Sequence, residues 1–388
     1  MAPRTDILVK SLIALVLLLL IPLELMLRTP LQISGVRLIE RIQSSFSYNT
    51  WHSFFNLLAS LKDWVLLLVS PVVMHWGDPR RGVKVMMVLS LGMYLLTLVN
   101  LIYGEPRPFW ISSGVEGYQC AKGYASPDYM LGMLACVYFY CVLQYARKAS
   151  IALQRTAWVL GGVLVLGASL AQMYEGVIYL HQVITTLCYC FLIVSLSLLF
   201  DKQLGHIAYV SAFRYKENRV HSMYWYVGTL ALMLAAVTVF DLITMQRFID
   251  GRWVQNANSS CEMQADLSYE ESFFPSAWVF YNLCLLNGCM FVGKSMPERW
   301  WETSRYLSGI RTLLTLGAAI GLHFLFRTSH SDAVPAEDTT TKYVFYYVLH
   351  YSLSAYVVAL FPLLAKRMKL TSGNAEATSP ILVPMEEF

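Results

Sequence analysis

Three short segments of this chain hold residue types that phosphate-ester chemistry requires: Arg107-Pro108-Phe109-Trp110, Ser126-Pro127-Asp128-Tyr129-Met130 and His181-Gln182-Val183. Hydrolysis of a phosphate ester needs positive donors around the phosphoryl oxygens, a nucleophile, and an acid for the leaving group. Arg107 can clamp an anion through its planar fork of N–H donors. The same arginine at a helix end can instead reach carbonyls or lipid phosphates. Asp128, Glu175 and His181 make a second set, able to supply acid/base groups or metal ligands if the chain brings them together.

The elements that must position these residues are membrane helices. Of the 388 residues, 56% are hydrophobic and only 14% charged, which excludes an ordinary soluble globular chain. Apolar stretches near the roughly 20 residues that span a bilayer recur along the whole length. They begin with Ile7–Leu27 and Phe54–Trp76, end with Val344–Leu364, and number about ten. The fold class expected is an all-α polytopic bundle. The first apolar run exceeds a signal-peptide core and lacks a small-x-small cleavage site, so it reads as a retained anchor. Leu31–Phe46 then alternates apolar residues with Arg37, Glu40 and Arg41, as a helix on the membrane surface or a packed connector would. The organisation expected is 1–50 as anchor plus amphipathic segment, 51–366 as the membrane domain, and 367–388 as a disordered tail.

Basic residues set the orientation. Arg80, Arg81 and Lys84, then Arg147 and Lys148, Lys202 and Arg214, and Lys294 and Arg299 fall in alternate loops, on the side of both termini. The positive-inside rule makes that side cytosolic. The opposite loops hold a glycosylation sequon at Asn258-Ser259-Ser260, and Cys120 and Cys261, candidates for a disulfide in an oxidising lumen. No cysteine has zinc-ligand spacing. The net charge of +4 comes from these topogenic loops and implies no nucleic-acid partner. Charged residues inside spans, Lys62-Asp63 and Asp241, suit transport or scrambling as another class of function.

In order and setting, the three segments resemble the glucose-6-phosphatase branch of the phosphatidic acid phosphatase type 2 superfamily. The first, Asn100 to Trp110, matches at Gly104, Arg107, Pro108 and Trp110, but Asn100 stands where the family has lysine. The second matches at Cys120, Gly123, Ser126 and Pro127; Asp128, Tyr129 and Met130 then replace serine, glycine and the acid histidine. The third can be set in two registers. In the preferred one, His181-Gln182-Val183 matches, and Gln172 and Ile178 stand for the phosphate-binding arginine and the nucleophilic histidine. In the other, His181 is itself the nucleophile. Similarity in order and spacing continues to the last helices, from about Trp51 to Lys366.

The resemblance implies a bundle in the endoplasmic reticulum membrane with its site on the lumenal side. It implies an enzyme that forms a phosphohistidine and uses no metal or organic cofactor. The substitutions at Asn100, Asp128, Met130, Gln172 and Ile178 oppose that activity. Losing one preorganised donor costs about 100–1,000-fold, and losing the nucleophile more. A pseudophosphatase follows, binding a phosphorylated metabolite or lipid headgroup through Arg107 and His181, or assembling with other membrane proteins. A variant but active phosphatase and a transporter are the alternatives.

Overall fold

The structure is a computed structural model that describes residues 3–76, 78–146, 150–213, 219–261, 267–296, 300–333 and 343–371. Helix accounts for 84% of it, with no strand among the described residues, so the chain is an all-α protein. In order, the helices are α1 (Pro3–Ser45), α2 (Tyr48–His75), α3 (Pro79–Tyr103), α4 (Pro108–Ile111), α5 (Tyr129–Tyr145), α6 (Ile151–Tyr174) and α7 (Leu180–Leu199). Then follow α8 (Asp201–Phe213), α9 (Arg219–Gln246), α10 (Gly251–Ser260), α11 (Tyr269–Phe273), α12 (Trp278–Ser295), α13 (Arg305–Ala333) and α14 (His350–Arg367). Arg147, Lys148, Arg214, Arg299 and the expected tail beyond Thr371 lie outside the described residues.

Seven described stretches are long and apolar enough to cross a bilayer: Pro79–Tyr103, Ile151–Tyr174, Leu180–Leu199, Met223–Gln246, Tyr269–Ser295, Arg305–Phe326 and Tyr347–Arg367. Their composition places the protein in a lipid bilayer. The hydropathy pattern alone predicts about ten such stretches. Of the other three, the fourth expected span is the 17-residue helix α5, shorter than a full crossing at 1.5 Å per residue. The stretch Ile7–Leu27 runs within α1, and Phe54–Trp76 lies in α2 except for its last residue.

The chain groups into two compact units that cut across the sequence-based division. The first comprises Met1–Trp64, Gly92–Leu199 and Ala235–Ser276; the second comprises Val65–Leu91, Phe200–Leu234 and Ala277–Phe388. In the first unit, the anchor and the stretch after it are one helix. α1 continues past Pro22 and Pro30, both interior to it, a placement that membrane helices tolerate. Ile39 on its second half is fully buried among Phe109, Trp110, Val115 and Tyr179, while Arg37 and Arg41 stay exposed. Gln43 fixes the register by donating to the carbonyls of Glu116 (2.8 Å) and Tyr174 (2.9 Å).

Local sequence determines where the helices end. Asp128 caps α5 by accepting from Leu131 N, and Ser150 caps α6 by accepting from Leu153 N. α6 closes in a Schellman motif: Gly176 N donates to Met173 O (3.1 Å) and Val177 N to Gln172 O (2.9 Å). Gly176 has φ +74°, a left-handed conformation natural to glycine, and a Cβ there would strike the Glu116 carbonyl. This turn delays α7 to Leu180, where an apolar run alone suggested a start at Val177.

The second unit is organised around α12, which packs on α8 and α14. Arg311 of α13 is fully buried and donates to the carbonyls of Leu370 (2.8 Å), His75 (3.4 Å) and Trp301 (3.3 Å). Its guanidinium also lies 5.5 Å from the Trp300 ring centroid, a cation–π distance. Lys84 pairs with Asp201 at 2.7 Å.

Cys120 and Cys261 form a disulfide with Cα atoms 5.9 Å apart, across a sequence separation of 141 residues. The cystine packs in the same core as Phe109 and Trp110. Closing so long a loop stabilises a fold by about 2–4 kcal/mol. Protein denatured without reductant will therefore take up alkyl groups on Cys136, Cys141, Cys188, Cys190, Cys284 and Cys289 alone. After reduction all 8 cysteines will react, and intact mass reads the difference.

Candidate functional site

The three segments meet in the first unit, and backbone geometry begins the meeting. α3 stops at Tyr103, and Gly104 turns the chain with φ +55°. Glu105 then forms an antiparallel bridge with Ser126, with Ala125 N donating to Glu105 O at 2.9 Å. The first and second segments are thereby held side by side. Gln182 of α7 ties in the third: its Nε2 donates to Pro106 O (3.2 Å), and its Oε1 accepts from Tyr179 N (2.9 Å).

Arg107 locks the arrangement. Its Nε donates to Gly123 O, its Nη2 to Tyr124 O at 3.0 Å, and its Nη1 to Val177 O at 3.2 Å. One guanidinium therefore spans the carbonyls of the second segment and of the turn after α6. The residue is 6% exposed and has no carboxylate within ion-pair distance among the described residues. Burial pulls its basicity below the usual guanidinium range, and the nearby charge of Asp128 opposes that. Carbonyl oxygens carry the partial negative charge that a buried arginine needs.

Asn100 and Asp128 have structural work. Asn100 is fully buried and donates to the carbonyls of Tyr124 (3.3 Å) and Pro127 (3.0 Å). Asp128 spends one carboxylate oxygen on Leu131 N at 2.7 Å, and its own N–H donates to Thr186 Oγ1 at 2.9 Å. Met130 is half-buried on α5, and Ile178 is fully buried. Gln172 is also fully buried, and neither its amide nitrogen nor its oxygen has a hydrogen-bond partner.

Asp128, Glu175 and His181 are each engaged elsewhere. Asp128 caps α5, Glu175 Oε1 lies 3.6 Å from His52 Nδ1, and His181 Nε2 lies 2.7 Å from Glu105 Oε1. Among the described residues, the group of three acidic and histidine side chains with ligand atoms within 4.8 Å of one another is instead Glu24, Glu105 and His181. Glu24 and Glu105 do not stand out in the sequence motifs. The signal for Glu24 was available: it is an acid inside an apolar run expected to span the membrane. Glu105 gave no comparable signal, because its partners are far away in sequence. Burial acts to raise the Glu105 carboxyl, but the His181 hydrogen bond and the charges of His181 and Arg28 outweigh it. The carboxyl is held below its ordinary value. Asn258 is exposed on α10, three residues before the cystine. Asp241 is exposed on α9, and the side chains of Lys62 and Asp63 lie outside the described residues.

Fold and site together define an all-α membrane protein with a buried polar junction at the end of α3. No protein-family model, curated protein or solved structure matches the chain.

Four variants separate a structural junction from an anion clamp. Arg107→Ala will destabilise the detergent-solubilised protein by roughly 3 kcal/mol or more, because three buried carbonyls lose charged donors. Arg107→Lys will restore only part of this, since an ammonium cannot spread over three carbonyls as a planar fork does. Asp128→Asn will be nearly neutral and Asp128→Ala will cost about 1 kcal/mol, the pattern of an N-cap. Thermal unfolding measures all four.

Proposed function

We propose that the chain is a membrane pseudophosphatase: a glucose-6-phosphatase-like bundle that does not hydrolyse phosphate esters and acts as a structural or complex-forming component. The observation that carries this reading is the donation of Arg107 to Gly123 O, Tyr124 O and Val177 O. A phosphate clamp needs N–H groups aimed at an open anion position, whereas these are aimed at backbone. Asn100, Met130, Gln172 and Ile178 add no cation, acid or nucleophile around it. The structural role is thereby favoured over capture of a phosphorylated ligand.

The test is phosphate release by purified protein from glucose 6-phosphate, phosphatidic acid and diphosphate lipids, beside an active family enzyme. No release above buffer is expected. Saturable turnover that disappears in His181→Ala would overturn the proposal in favour of a variant phosphatase. Flux through proteoliposomes of the inactive protein would favour a transporter.

The reading includes a lumenal junction in the endoplasmic reticulum membrane, with both termini cytosolic. Support comes from the basic loops on one side and from Asn258 and the Cys120–Cys261 cystine on the other. Protein from secretory-competent cells will shift on glycosidase treatment, and Asn258→Gln will remove the shift. An unshifted wild-type band, with a secreted control shifted alongside, would reverse the orientation or the compartment.

A further inference from the structure

A second group of buried charge in the first unit shares Glu105 with the Arg107 junction, through its side chain rather than its backbone. Glu24 comes from α1, Glu105 from the turn after α3, and His181 from the first turn of α7. One carboxylate oxygen of each glutamate and one ring nitrogen of His181 lie within 4.8 Å of one another. Glu105 is fully buried, and the Glu24 side chain is only 10% exposed. Both oxygens of Glu24, Oε2 of Glu105 and Nδ1 of His181 have no hydrogen-bond partner. Carboxylate oxygens withdrawn from water in this way require compensation by a cation or a donor.

Arg28 compensates in part. Its Nε lies 3.5 Å from Glu24 Oε1 and 3.8 Å from Glu105 Oε1, too far for hydrogen bonds, and neither Nε nor Nη2 has a hydrogen-bond partner. Its guanidinium sits 5.0 Å from the Tyr103 ring centroid, and the side chain is 23% exposed. Two carboxylates thus face a single arginine that makes no hydrogen bond to either.

We propose that Glu24, Glu105 and His181 are the protein ligands of a divalent transition-metal cation of the zinc class, with Arg28 as the internal counter-ion that withdraws when the metal enters. Two carboxylate oxygens and an imidazole nitrogen form a mixed oxygen–nitrogen set suited to zinc or manganese. Calcium and magnesium prefer all-oxygen shells. Three protein ligands leave a fourth position open on a tetrahedral ion. With Arg28 withdrawn, the two carboxylates balance one divalent charge. Arg28 loses little by leaving, since its contacts here are long and its exposed edge gives it a way out. Tetrahedral ligands around zinc stand about 3.3 Å apart. The 2.7 Å contact between His181 and Glu105 therefore opens by a fraction of an ångström, and the wider pairs draw in. Gln32 Nε2, at 3.3 Å from Glu105 Oε1, is placed to hold that carboxylate from outside the metal shell.

Untagged protein in detergent, stripped by a chelator, is titrated with Co2+ and then with Zn2+. One equivalent of Co2+ is expected to give visible absorption that Zn2+ displaces. Glu24→Gln and His181→Gln will each weaken binding about tenfold or more, and a retained thermal transition shows that they fold. Arg28→Gln will strengthen binding by about tenfold, a gain that misfolding cannot mimic. Absent saturable absorption overturns the proposal, as does Co2+ binding indifferent to Glu24→Gln. Weakened binding in Arg28→Gln also overturns it, marking a closed ion-pair network neutralised by a proton on His181.

Discussion

A guanidinium buried in a membrane protein has to be surrounded by oxygen, and in the first unit that constraint organises the chain. Arg107 finds its oxygens on Gly123, Tyr124 and Val177 rather than on a carboxylate. Unpaired burial of such a charge would cost more than the margin by which most folds are stable. The loop before α5 and the turn after α6 therefore have to come to the arginine. Asn100 and Gln182 bind further carbonyls of the same segments, at Pro127 and Pro106. The result is a junction in which side chains satisfy backbone that no helix or sheet would satisfy.

That arrangement bears directly on chemistry. A site for a charged substrate keeps its donors poised toward a space where charge will arrive. Here the donors point into the protein itself. Asp128 holds the first turn of α5, and Asn100 donates to the carbonyls of Tyr124 and Pro127. Asn100 and Asp128 thus hold loops and a helix start. Gln172 is less economical, because its buried amide lacks partners, and the structure gives no physical account of it.

The helical, membrane-embedded character was legible because an apolar run of about twenty residues matches the thickness of a bilayer and is poorly tolerated in water. The meeting of the three segments was legible from their order at successive helix ends. What Arg107 binds was not, since a backbone carbonyl has no signature in the identity of its residue. The continuity of α1 was hidden because Arg28-Thr29-Pro30 interrupts the apolar pattern between the expected anchor and the stretch from Leu31, yet lies within one helix. Glu24 and Glu105 were invisible as a pair because α2 and α3 lie between them in the chain. The late start of α7 was hidden because Val177 and Ile178 are as apolar as the helix they precede. Only the left-handed Gly176 shows why they are excluded from it.

The interleaving of the two units along the chain governs how the protein can be made. The first unit takes its last piece from Ala235–Ser276, after much of the second unit's chain has already emerged, and the second cannot finish until Ala277–Phe388 follows. The first unit is therefore complete in the chain at Ser276 only after two pieces of the second have emerged, unlike a tandem domain made in one run. Cys120 cannot form its disulfide until Cys261 has been translated. A nascent chain that ends between them carries at Cys120 a thiol that the finished protein lacks.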